Sequence, residues 1–209
     1  MVRTVFFDPD RFFRERDELS PLQPVLVLIL AGLASVFSTL VLFLSMPDSG
    51  LGTGPFVVLS ILFNAPLAFG WVLLRCGLYT GAFHLLSSVL GGNGSLDTTF
   101  KVTAWGFVPV VFVGLLDPVM RYLAYGGGNG VATFALLSGV RAITSGHSML
   151  LLTVFSLVFT LWQAVIWLFG MRRTHHLSLR RAVVVVGIPV AVALLLSVGG
   201  SVVSMTNVL

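Results

Sequence analysis

Arg75 is the one charged residue deep inside an apolar run of this 209-residue chain. A guanidinium in hydrocarbon is costly, and it persists where it meets an anion, a water-filled cavity or the interface. Asn64, Ala68, Trp71, Arg75 and Tyr79 follow at spacings of 4, 3, 4 and 4, so they share one helix face. That face suits an anion or a lipid headgroup. A second reading stays open, in which Arg75 snorkels to the cytoplasmic surface. His84 lies nine residues further on and faces away from Arg75, on the side of Thr80 and Ser87. No HxxxH, HExxH or carboxylate partner is spaced to complete a metal site, so His84 reads as a hydrogen-bonded packing residue.

The second polar concentration is Arg172-Arg173-Thr174-His175-His176-Leu177-Ser178-Leu179-Arg180-Arg181. Adjacent helix positions diverge by about 100°, so the two histidines do not converge on a metal. The segment reads as a polar turn in which Arg172, Arg173, His176, Arg180 and Arg181 meet anionic lipid headgroups. Thr153, Ser156, Thr160, Gln163 and Trp167 recur every three or four residues. In lipid such a stripe turns inward to hydrogen-bond another helix, or it lines a polar transport path. Gly91-Gly92-Asn93-Gly94 lacks the Lys-Ser/Thr of a phosphate loop and the strand before it, and reads as a turn. No GxSxG is present, and no Ser has a His and an acid at triad spacing. The single cysteine, Cys76, excludes an internal disulfide, a CxxC pair and a thiolate zinc site. No catalytic residue, metal or cofactor is expected.

Membrane helices must hold these groups. The chain is 56% hydrophobic and 10% charged, against about 25% charged in soluble domains. A water-soluble globule of this size cannot hide so much apolar surface. Apolar runs mark five spans, near residues 22–46, 56–90, 102–123, 148–171 and 182–203, each meeting the roughly 20 residues a crossing needs. The second run must tilt, project beyond the bilayer or break, with Pro66 and Gly70 available for a kink. Ser197 and Ser201 give the last span a small face for close approach. The expected fold is therefore an all-α polytopic membrane protein with a bundle of five transmembrane helices, organised as a 1–21 N-terminal segment and a 22–203 transmembrane domain.

Nine of the 12 basic residues fall on one side of this arrangement: Arg3, Arg11, Arg14, Arg16, Lys101, Arg172, Arg173, Arg180 and Arg181. Arg121 and Arg141 fall on the other. The positive-inside rule places the N-terminus in the cytoplasm and the C-terminus outside, in the cell membrane. The basic balance thus concerns orientation and excludes nucleic acid as the partner. Ahead of the first span, Asp8-Pro9-Asp10 supplies a cap, a proline for the first helical position and an acid for the first turn. Phe6, Phe7, Phe12 and Phe13 alternate with charges, so residues 1–21 are expected to carry a short interfacial amphipathic helix on the inner leaflet. Gly91-Gly92 is expected to end the second span, with Ser95 or Asp97 capping the third. The Gly-rich loop from Tyr125 to Gly146 includes an apolar stretch, Thr133 to Val140, suited to the outer membrane surface.

Three stretches together resemble the Yip-domain family, the Ypt/Rab-interacting membrane proteins. The first is His84 with Gly91-Gly92-Asn93-Gly94-Ser95-Leu96. The second is Trp105-Gly106-Phe107-Val108-Pro109. The third is Trp162, Trp167 and Gly170, followed by Arg172 to Arg181. The Phe12-Phe13 pair also fits, and the resemblance runs from about Asp8 to Gly200. It is similar to prokaryotic-type members, and it implies five membrane helices with Gly91, Gly92, Gly94, Pro109, Trp162 and Gly170 as structural motif residues. Eukaryotic relatives bind prenylated Rab GTPases, but this chain lacks their Asp-Leu-Tyr-Gly-Pro motif, and that role is not carried over. The expected function is a non-enzymatic scaffold or membrane-organising role, with the bilayer, anionic lipid headgroups, and a membrane-protein partner or a second copy as partners. The alternative is a small transporter or channel subunit using Arg75 and the Thr153–Gln163 stripe.

Overall fold

The computed structural model describes residues 8–15, 21–44, 55–125 and 146–206, and these are helical with no strand among them. In chain order the helices are α1 (Pro9–Arg14), α2 (Leu22–Leu44), α3 (Pro55–Val89), α4 (Leu96–Trp105), α5 (Val108–Tyr125), α6 (Gly146–Thr174) and α7 (Leu179–Thr206). Five stretches are long and apolar enough to cross a bilayer: Leu22–Val41, Ile61–Val89, Leu96–Leu123, Leu151–Thr174 and Leu179–Leu196. The all-helical fold and the five spans agree with the sequence reading. Phe6, Phe7, the Thr133–Val140 stretch, Arg141 and the Ser197 and Ser201 side chains lie outside the described residues.

Local chemistry explains the helix ends. Asp8 accepts from the Arg11 backbone N–H at 3.0 Å, with Pro9 opening α1. The 35-residue α3 runs through Pro66 without ending. It stops at Gly91, whose φ of +80° favours glycine. There Gly92 N–H donates to Ser87 O at 2.8 Å and Gly91 N–H to Ser88 O at 3.2 Å, which satisfies the last carbonyls. Ser95 then caps α4 by accepting from Thr98 N–H at 3.1 Å.

The third span differs from the sequence reading in two ways. It begins at Leu96 instead of residue 102, because the Ser95 cap, not the last charge, sets its start. Asp97 and Lys101 are tolerated there as an i,i+4 ion pair at 2.6 Å. The span is also two helices, α4 and α5, parted at Gly106–Phe107. Pro109 has no N–H for the Trp105 carbonyl. Phe107 N–H turns to Ala104 O at 3.0 Å, which leaves Thr103 O without its helical donor.

The chain packs as two compact units. One holds Met1–Val27, Leu74–Phe107 and Thr160–Leu209; the other holds Leu28–Leu73 and Val108–Phe159. In the second unit, Gly114 lies against Ala34, where an added Cβ would meet the Ala34 carbonyl carbon at 2.6 Å. This small-residue contact lets the backbones approach closely. One turn on, the Ser38 hydroxyl donates to Asp117 Oδ2 at 2.8 Å, and Arg121 Nε donates to the same oxygen at 2.8 Å.

Candidate functional site

The first unit brings the three motifs together, and each does so through a glycine. The turn after α3 lies on the turn after α6: Asn93 N–H donates to His175 O at 3.3 Å. An added Cβ on Gly94 would fall 2.5 Å from His175 Nδ1, and one on Gly92 would fall 3.3 Å from both His175 Cβ and Leu177 Cδ2. The α6 turn closes in the same way as the α3 turn, with Leu177 N–H donating to Arg172 O at 3.1 Å. The left-handed residue there is His176, at φ 52°, a position more often filled by glycine. Its strained backbone faces outward, and this turns His175 inward.

His175 is 1% exposed. Its Nε2 lies 2.9 Å from Thr99 Oγ1, whose own hydrogen goes to Ser95 O at 2.9 Å. Nε2 therefore carries the proton and donates, because a hydroxyl has one hydrogen to give. His84 Nδ1 lies 3.4 Å from the same hydroxyl. Burial, helped by the charges of His84 and His176, pushes the His175 pKa down to about 4, so the ring is neutral. His175 is therefore a core residue, and of the two histidines only His176, the one expected at the headgroups, is exposed.

The second and third motifs meet at Trp167, which is buried. Its indole Nε1 donates at 2.8 Å to the Thr103 carbonyl freed by the α4–α5 break. The indole lies so close to Gly106 that an added Cβ would enter the ring. Tyr79 and Phe83 also pack against the indole, with centroids 4.5 and 5.1 Å away, and Phe107 stands at 6.1 Å. One turn along α6, Gly170 lies against Val102, whose Cγ1 is nearest to an added Cβ, and against the Phe13 ring at 3.2 Å. The Gly-aromatic-Pro pattern thus has a physical content: Gly106 makes room for an indole, and the turn at Phe107 frees the Thr103 carbonyl that the indole bonds. Pro109 is buried and Trp162 half-buried.

The short α1 forms where the sequence predicts, but its aromatic side chains point into protein. Phe12 and Phe13 are 3% and 4% exposed. Phe12 stacks edge-on to Trp105 at 4.8 Å. An ion pair fixes the docking: Arg173 donates to Asp10 through Nε at 2.8 Å and Nη2 at 2.6 Å, and Arg172 stands at 3.8 Å. The Arg173 hydrogen bond holds the Asp10 carboxyl below the usual carboxylate range. The phenyl rings could bury themselves in lipid as readily as here, so the bidentate pair and the slot at Gly170 decide where α1 lies.

The basic candidates therefore do different work. Arg172 and Arg173 hold α1, and Arg181 Nη1 donates to Leu90 O at 3.1 Å, covering the end of α3. Arg180 and His176 are exposed. His84 sits beside Thr99, and its carbonyl accepts from Ser87 and Ser88. Only the lower part of the α6 stripe turns inward: Gln163 and Trp167 are buried, Thr160 is half-buried, and Thr153 and Ser156 are exposed. Arg75 is half-buried, with its guanidinium carbon 6.0 Å from the Phe107 ring centre. The sequence reading missed Asp10, Thr99 and His175 as site residues. Glycines at 94, 106 and 170 were the available signal, each marking where a side chain from another helix or turn must land.

A family model described as the Yip1 domain matches residues 3–200. No curated protein and no solved structure matches the chain.

Proposed function

The chain belongs to the Yip1-domain family, and from that premise we propose that it is a non-enzymatic scaffold of the cell membrane that holds or organises partners at the inner face. One observation carries this reading. The motif residues are used on one another, in a cap where Gly94 receives His175, Gly106 receives Trp167, and Asp10 receives Arg173. An enzyme would present a nucleophile or an acid to a substrate, whereas these polar groups serve packing. Positive-inside bias supports a cytoplasmic cap, N-terminus in and C-terminus out. Arg180 and His176 then face the aqueous or headgroup side, where anionic lipid, a membrane-protein partner or a second copy can meet them.

Photo-crosslinking residues at His176 and Arg180, in native membranes, test the reading. Discrete protein adducts at the cap, absent from the same probe at lipid-facing Leu78, are expected. Equal labelling at all three positions would overturn it. A transporter or channel reading is favoured by one observation, the placement of Arg75 in the middle of a span. Arg75→Gln separates the two: it leaves cap adducts unchanged if the protein is a scaffold.

A further inference from the structure

Two donors of the first unit lack an acceptor among the described residues. Arg75 has no ion-pair or hydrogen-bond partner among the described residues, only the Phe107 face at 6.0 Å. Gln163 is 4% exposed, and its Nε2 has no hydrogen-bond partner among the described residues. Both positions follow from one contact. Tyr79 and Trp167 touch, with ring centroids 4.5 Å apart. Arg75 precedes Tyr79 by four residues, and Gln163 precedes Trp167 by four, so each sits one turn back on the same helix face. The helices run parallel here, because their C-terminal turns meet through Asn93 and His175. This geometry puts Arg75 on α3 and Gln163 on α6 each one turn back from the aromatic cluster.

Their depth is set by the helix. Arg75 is the middle residue of Ile61–Val89, about 21 Å of helix from either end at 1.5 Å per residue. Half of a hydrocarbon core is about 15 Å. Its Cβ leaves toward the helix N-terminus, away from the cap, so snorkelling to the cap side runs against the side chain's own direction. Leu74 and Leu78 on the same helix are 51% and 63% exposed, so the flank of the site opens sideways to lipid. A buried amide donor beside an uncompensated guanidinium, reached from the bilayer, fits the oxyanion of an amphiphile.

We propose that Arg75 and Gln163 form an intramembrane site for the phosphate of an anionic phospholipid, entering laterally past Leu74 and Leu78 over the Phe107 face. Arg75 supplies the charge and a donor fork, Gln163 supplies a second donor, and the headgroup is drawn inward from its leaflet. The proposal does not depend on the scaffold reading; it requires only that α3 and α6 cross a bilayer.

Native mass spectrometry of the delipidated full chain in detergent tests it, with dioleoylphosphatidylglycerol, dioleoylphosphatidylcholine, oleate and inorganic phosphate as separate probes. One phosphatidylglycerol should be retained in preference to phosphatidylcholine, and retained in about 1 M salt, where surface ion pairs are screened. Arg75→Gln should lower its affinity about tenfold or more, and Gln163→Leu about threefold to tenfold. Arg180→Gln should leave this lipid unchanged. Should Arg75→Gln fail to fold, Arg75→Lys, which keeps the charge and loses the fork, should still bind less tightly than the parent, and Gln163→Leu decides independently. Equal binding by the parent and the Arg75 and Gln163 variants would overturn the site. Loss of the lipid in high salt would overturn its depth. Preference for oleate, or equal binding of inorganic phosphate, would overturn the phospholipid assignment.

Discussion

Gly106→Ala places one methyl group where the Trp167 indole lies. The indole cannot yield easily, because it is buried and packed against Tyr79 and Phe83 at 4.5 and 5.1 Å. Overpacking a filled site costs about 1–3 kcal/mol. If the ring shifts, the 2.8 Å bond from Trp167 Nε1 to Thr103 O goes with it, and a buried donor left unpaired costs about 1–3 kcal/mol more. The expected loss is about 2–6 kcal/mol. Gly77→Ala is the control, since an added Cβ there meets nothing within 4 Å; it should be neutral or stabilise by up to about 1 kcal/mol. Trp167→Phe makes room, so the Gly106→Ala/Trp167→Phe double variant should cost less than the sum of the singles. Far-UV circular dichroism during denaturation in mixed micelles reads all four proteins. If Gly106→Ala unfolds like Gly77→Ala, the indole lock is not what holds these motifs together.

Three further outcomes are expected. The unfolded chain binds a proton on His175 near 6.5, and the folded chain resists it until about 4. Stability should therefore fall as pH drops through that window and level off below it, by about 3 kcal/mol in all, with His175→Gln flattening the curve in pH-dependent denaturation. Asp10→Lys sets a third cation beside Arg172 and Arg173 and should undock α1, raising hydrogen exchange at residues 10–14 while α4 stays protected; unchanged exchange would show that Phe12 and Phe13 suffice alone. A reporter active only in the cytoplasm should work at Asn93 or Thr174 and be silent at Ser49, Asn129 or the C-terminus; the reverse pattern would invert the orientation drawn from charge.

The features legible in the sequence are those set by neighbours along the chain. Asp8 and Ser95 cap the helices as their spacing predicts, Gly91 ends α3, and five apolar runs become five spans. The missed features depend on distant partners. Nothing near residue 175 says that His175 turns inward, because Thr99, 76 residues away, provides its hydrogen bond. Trp167 bonds a carbonyl 64 residues back, so the pattern around Gly106 was visible but not the slot at Gly106 or the freed acceptor at Thr103. Ser38 meets Asp117 across 79 residues, where local reading gave only a charged span end. The α6 stripe reads as uniform because periodicity marks a face, whereas burial depends on which part of that face meets a neighbour.

The central claim is that motifs far apart in sequence form one packed cap, and a cysteine pair measures it directly. An added Cβ on Gly92 would lie 3.3 Å from His175 Cβ, close to the roughly 3.8 Å of a disulfide. In a Cys76→Ser background, Gly92→Cys with His175→Cys should crosslink under mild oxidation in native membranes, read by thiol labelling and by mass spectrometry of the linked peptides. Gly77→Cys with His175→Cys should stay reduced. A Gly92–His175 pair that stays reduced in a protein of parental helical content would contradict the account.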